Sequence, residues 1–197
     1  MKLKLWAGAA GLALCWLVQP VAAGQLEDGL NASRNGDYET ALGLLTPLAE
    51  QGNVAAQSWL GYMYYSGQGV KQDYIEAIKL FRKAAKQGDS FAQFNLGFVY
   101  ENGQGVPQDY AEAAELYRKA AEQGDRFSQS NLGAMYADGR GVPEDFVQLY
   151  MWINLAAAGG DARYVKVRED LSKILTDDQI AEAQRLAREW VAAHPKP

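Results

Sequence analysis

The chain has 197 residues, 48% hydrophobic and 22% charged, which is enough for one repeat domain with a continuous core and requires no second domain. A net charge of −5, with no basic run beyond Lys2 and Lys4, argues against a nucleic-acid partner, because phosphate binding relies on clustered lysine and arginine. The single histidine, His194, lies three residues from the C-terminus, and Cys15 is the only cysteine, so a histidine-based zinc site and a Ser-His or Cys-His nucleophile pair are both out of reach.

Met1-Lys2-Leu3-Lys4 is a short positive region, Leu5–Val18 is apolar, and Val21-Ala22-Ala23 supplies small residues before Gly24. That order reads as a signal peptide over residues 1–23, cut near Ala23, which places the mature protein in the periplasm or outside the cell. A retained anchor is the alternative, disfavoured because the apolar run is shorter than the ~20 residues of a spanning helix. Lipidation at Cys15 is disfavoured because Leu14 stands where a small residue is needed. After cleavage no cysteine remains, and 17 basic against 24 acidic residues leave a net charge of −7, which suits a basic or mixed-charge partner surface. Stability must then come from packing and helix caps rather than disulfides.

Residues 24–52 read as a degenerate first unit of an array. Its second helix carries Asp37, Tyr38, Ala41 and Ala49, while its first, around Leu26–Asn35, is short and lacks the signature of the later copies. Pro47 is expected to kink the second helix or end it early. Full copies occupy residues 53–88, 89–124 and 125–160. Leu60-Gly61 recurs as Leu96-Gly97 and Leu132-Gly133, Tyr64 as Tyr100 and Tyr136, and Gly69-Val70 as Gly105-Val106 and Gly141-Val142, each at a step of 36. A period of this size in a helical pattern signals a solenoid, whose units bury their apolar faces only by stacking.

Within one copy, Ala56, Leu60 and Tyr64 fall on one helical stripe, and Ala77, Leu80, Phe81, Ala84 and Ala85 on another. Asp73 with Glu76, Asp109 with Glu112 and Asp145 with Gln148 have capping-box spacing. Gly88 and Gly124 suit a left-handed C-cap, and Asp89 and Asp125 then N-cap the following helix. Gly61, Ala77 and Ala84, with Gly97, Ala113 and Ala120, lack bulk where two backbones must approach, so each copy is an αα-hairpin with a close face. The third copy drifts, with Leu149 and Trp152 replacing smaller counterparts. Residues 161–197 read as capping helices over Ala162–Leu175 and Asp177–His194, followed by a fraying tail.

The strings Ala56-Gln57-x-x-Leu60-Gly61-x-x-Tyr64, Gly67-x-Gly69-Val70, Asp73-Tyr74-x-x-Ala77 and Lys83-Ala84-Ala85-x-Gln87-Gly88-Asp89 resemble the Sel1-like repeat, a relative of the tetratricopeptide repeat. The resemblance covers about Asp37–Gly160. It implies an all-α, right-handed α-solenoid of stacked αα-hairpins that serves as a protein-binding scaffold rather than an enzyme, of the exported bacterial type. The chain departs from the cysteine-rich secreted members of that group, which staple each repeat.

The same resemblance places the first helix of each hairpin along a concave groove. Candidate protein-binding residues are then Tyr62 and Tyr65, Phe91, Phe94, Phe98 and Glu101, and Phe127 and Ser130. Phe91, Phe94 and Phe98 share one helical face, distinct from the stacking stripe of Ala92, Leu96 and Tyr100. Either they fill the seam between repeats or they form an exposed patch that anchors a peptide. Trp59, Asn95 and Asn131 are expected to face away from the groove and bond neighbouring helices.

No catalytic, cofactor or metal residues are assigned. Capping accounts for Asp73, Asp109 and Asp145, and the absence of a Ser-x-x-Lys sequence removes the main argument for a serine β-lactamase. The expected function is a non-catalytic scaffold that binds another protein or peptide and has no stable membrane anchor. A cell-wall-associated enzyme or ligand-binding protein, and a purely structural envelope component, are the alternatives.

Overall fold

The computed structural model describes residues 15–195, with side chains from Gly24 onward. The described residues form helices only: α1 (Cys15–Arg34), α2 (Tyr38–Glu50), α3 (Val54–Ser66), α4 (Tyr74–Lys86), α5 (Ser90–Asn102), α6 (Tyr110–Glu122), α7 (Arg126–Asp138), α8 (Phe146–Ala157), α9 (Ala162–Leu171) and α10 (Asp177–Ala193). Odd and even helices up to α8 pair as hairpins, and each even helix also packs on the next odd one, giving an α-solenoid. The segment read as a signal peptide lies outside the described residues as far as residue 14, and its last part begins α1.

Caps set the element boundaries. Asp89 and Asp125 each accept from a backbone N–H three residues on, at 2.7 Å, and Asp73, Asp109 and Asp145 each accept from two. Among the described residues the reciprocal half of the capping box forms only at Thr176 and Gln179; Glu76 turns instead to Lys79. The odd helices α3, α5 and α7 end on Gly67, Gly103 and Gly139 in the left-handed region, where a Cβ would be strained.

Small residues bring the paired helices together as expected. Ala77, Ala84, Ala113 and Ala120 are fully buried. A Cβ on Gly61 would lie 2.9 Å from the Phe81 ring, and one on Gly97 would lie 3.0 Å from Tyr117. A second close approach joins successive hairpins. A Cβ on Gly69 would lie 2.4 Å from Tyr38 Cβ, on Gly105 2.7 Å from Tyr74 Cβ, and on Gly141 2.0 Å from the Tyr110 carbonyl oxygen. The glycine of each inter-helix loop therefore seats against the start of the even helix one hairpin back.

Three expectations need correction. The first helix is not short: α1 has 20 residues and reaches back to Cys15. Pro47 does not end its helix, since α2 continues to Glu50. Leu48 and Ala49, buried against the first core, hold the last turn in place, and the Pro47 carbonyl still accepts from Gln51 N–H at 3.2 Å. Finally, α9 stops at Leu171 rather than Leu175; a turn there lets Leu171 and Leu175 both meet the last core and leaves Thr176 free to cap α10. That core answers the drift of the third copy, because Trp152 meets Trp190 of α10 edge-on at 6.3 Å.

Candidate functional site

The odd helices α3, α5 and α7 present the nominated residues. Their rings meet across repeat junctions in three sets. Tyr62 and Phe91 lie 5.8 Å apart, Tyr65 and Phe98 6.4 Å, and Phe94 and Phe127 5.9 Å. Each set also recruits a residue that helical spacing did not point to. Trp59, expected to face away, stacks on Phe91 at 5.4 Å; Tyr74 of α4 packs on Tyr65 at 5.6 Å, and Tyr117 of α6 on Phe94 at 5.9 Å. The rings thus fill the seams between hairpins and also reach the surface. Tyr62, Tyr65, Phe91 and Phe94 are half-buried, whereas Phe98 is 37% and Phe127 50% exposed.

Polar bonds repeat along the same side. The Tyr65 hydroxyl donates to Gln104 Oε1 at 2.9 Å, and one repeat later Arg140 Nη1 donates to Glu101 Oε1 at 3.2 Å, so the same two positions join successive hairpins. Glu101 also accepts from the Tyr117 hydroxyl at 2.8 Å. Burial raises the Tyr117 hydroxyl pKa, and the adjacent Glu101 charge adds to the effect. Burial likewise raises that of Tyr65, against the Gln104 bond. The Glu101 carboxylate is therefore engaged within the array. Ser130 is half-buried and joins none of the ring pairs. Asn95 bonds the Phe91 carbonyl of its own helix at 2.7 Å, not a neighbour as expected, while Asn131 lies against the Tyr117 hydroxyl.

Arg140 could have been noticed in the sequence, since Glu101 and Arg140 depart together from Tyr65 and Gln104 of the preceding copy. Trp59, Tyr74 and Tyr117 carried no comparable signal. Among the described residues no group of three His, Cys, Asp or Glu could hold a metal ion, and no helix is long and apolar enough to cross a membrane.

Among curated proteins none matches the chain. Solved structures do. A Sel1 repeat protein from Oxalobacter formigenes is 35% identical with a TM-score of 0.69, over 73% of this chain and 57% of that one. The antigen c5321 of uropathogenic Escherichia coli, described as protective and as displaying an SLR fold, is 29% identical with a TM-score of 0.59, over 88% of this chain and 46% of that one. Cysteine rich protein B of Helicobacter pylori is 25% identical with a TM-score of 0.51, over 62% of this chain and 93% of that one. The chain thus spans about half the length of the first two. The sequence profile of the Sel1 repeat matches residues 23–53, 54–89, 90–125 and 127–161, and with four such copies the chain belongs to the Sel1 repeat family.

Proposed function

We propose that the chain is an exported, non-catalytic scaffold that docks another protein on the odd-helix side of the solenoid. The observation that carries this reading is the ring system of α3, α5 and α7. Phe98 and Phe127 stand exposed while each packs on a ring of the preceding hairpin, Tyr65 and Phe94. Preset aromatic anchors lose little entropy on binding and recur as interface hot spots. The family supports the same reading, since Sel1 repeats typically serve protein–protein interaction. The net charge favours a partner whose apolar anchors are flanked by basic residues.

Export rests on the sequence of residues 1–23, and repeats at 53–88, 89–124 and 125–160, behind a degenerate unit at 24–52, form the binding body. Glu101 and Ser130 contribute to its rim. To test the surface, a photo-crosslinking residue is placed at Phe98 and the protein is expressed in its native host. A discrete adduct is expected, and it should disappear when the label is placed at Ala111 of α6 instead. In a competition format, Phe98→Ala with Phe127→Ala should weaken partner binding at least tenfold while leaving the melting temperature within a few degrees. Full binding by a folded double variant would rule this surface out.

A further inference from the structure

Gln57, Gln93 and Gln129 hold equivalent places in the three full copies, and each is at most 5% exposed. Each donates its Nε2 to a carbonyl of the preceding even helix, to Ala49 at 3.0 Å, Ala85 at 3.3 Å and Ala121 at 3.1 Å. In the first two copies the amide oxygen is then met by a second carboxamide. Gln87 Nε2 donates to Gln57 Oε1 at 3.1 Å, and Gln123 Nε2 donates to Gln93 Oε1 at 2.8 Å. In the third copy the donor's place is taken by Gly159, and the buried Gln129 Oε1 has no partner among the described residues. A buried amide oxygen without a donor is costly, so the broken ladder needs a reason.

A cavity of about 530 Å³ lies where the ladder stops, between the ends of α6 and α8, the start of α7 and the last turns of α10. Gln129 and Gly159 line it together, with Leu155 and Val191 as apolar wall and Trp190 beside them, whose buried indole N–H also has no partner among the described residues. Arg126 and Glu122 also line it, one charge of each sign, which suits a neutral polar ligand better than an ion. Arg126 forms no ion pair among the described residues. Its Nη1 lies 3.0 Å from where a Cβ on Gly159 would stand.

From this arrangement we infer that the cavity is a binding site for a primary carboxamide, the side chain of a glutamine or asparagine in a peptide or small molecule. It takes the place of the glutamine that the first two copies supply for themselves. The ligand NH₂ donates to Gln129 Oε1, its carbonyl accepts from the Arg126 guanidinium, and its methylene stem lies against Leu155 and Val191. Arg126, long and flexible, swings aside to uncover the oxygen. A carboxylate would set its charge against Gln129 Oε1 and Glu122, and a hydrocarbon would satisfy neither polar partner. The site stands whether or not the rings of α3, α5 and α7 bind a partner.

The test titrates ¹⁵N-labelled protein with N-acetyl-L-glutamine amide, following the side-chain amide of Gln129 and the indole N–H of Trp190. A saturable shift is expected, with a dissociation constant on the order of 1 mM for a ligand this small. The glutamate and leucine analogues should bind at least tenfold more weakly. Gly159→Gln, which restores the missing rung at a residue outside the left-handed region, should abolish the titration and raise the melting temperature. Arg126→Met should weaken it at least fivefold, and serves if Gly159→Gln does not fold. No saturable shift, equal binding of the leucine analogue, or an unchanged titration in a folded Gly159→Gln or Arg126→Met would overturn the assignment.

Discussion

Gly61 and Gly133 hold the same position in two repeats, yet alanine should act on them in opposite directions. A Cβ at Gly61 would sit 2.9 Å from two carbons of the Phe81 ring, which is fully buried and has nowhere to withdraw. At Gly133 the nearest atom is the Leu149 carbonyl oxygen at 3.4 Å, an ordinary contact. Replacing a helical glycine by alanine gains about 1 kcal/mol of propensity, while overpacking costs about 1–3 kcal/mol. Urea unfolding should therefore show Gly61→Ala losing about 1–2 kcal/mol and Gly133→Ala gaining up to about 1 kcal/mol. Gly141→Ala should cost more than either, about 3 kcal/mol, because its φ of +71° is joined to a backbone clash with Tyr110. The 36-residue recurrence made all three glycines visible, Gly61 as a close approach, Gly133 as its counterpart and Gly141 only as part of a recurring loop pair. It could not rank them, because the ranking depends on whether Phe81 or Ile153 stands opposite, and those residues change from copy to copy.

Element boundaries were readable wherever local chemistry decides them, as at the aspartate caps and the left-handed glycines. They were misread where packing overrides local preference. At Pro47 the pyrrolidine ring removes one donor, but Leu45, Leu48 and Ala49 are buried on the same turn pair, and their burial, about 1.5–3 kcal/mol for each leucine, keeps the helix intact. The cap of α9 offers a pH test. The Arg163 side chain hydrogen bond, and then the Arg163 backbone N–H, hold the Asp161 carboxyl well below its ordinary value, at about 2. A carboxyl depressed in the folded state stabilises α9 fully above its unfolded pKa near 4 and loses that effect as pH falls toward 2. Amide protection factors in residues 163–166, taken against the intrinsic exchange rate at each pH, should consequently fall between pH 4 and pH 2, ahead of those in α5 and α6. Asp161→Asn should remove that pH window while keeping a competent cap.

At the scale of the molecule, helical spacing puts Phe91, Phe94 and Phe98 on one face of α5, yet Phe91 and Phe98 meet rings of α3 while Phe94 meets rings of α6 and α7. Whether the rings were core or surface was not legible, because the answer depends on Trp59, Tyr74 and Tyr117, which reach them across helix junctions. The N-terminal end of the array poses the opposite problem, since α1 runs through the expected cleavage point as one helix. Packing suggests how both can hold. In the first core the described side chains from α1 are Leu26, Leu30 and Ala32, and Gly29 is buried where a Cβ would lie 2.9 Å from Leu45, so a cut after Ala23 keeps all of these described contacts. A chain beginning at Gly24 should therefore melt within about 2 °C of the chain beginning at Met1 by circular dichroism. A chain beginning at Asp37 should not, because it uncovers Leu45 and Leu48 at about 1.5–3 kcal/mol each and strips the array of its end cover. If export works as proposed, the protein recovered from the envelope fraction starts at Gly24 by N-terminal sequencing. Recovery of chains that retain Leu5–Val18 would instead mean that the apolar segment stays attached, and that the solenoid operates tethered by its first helix.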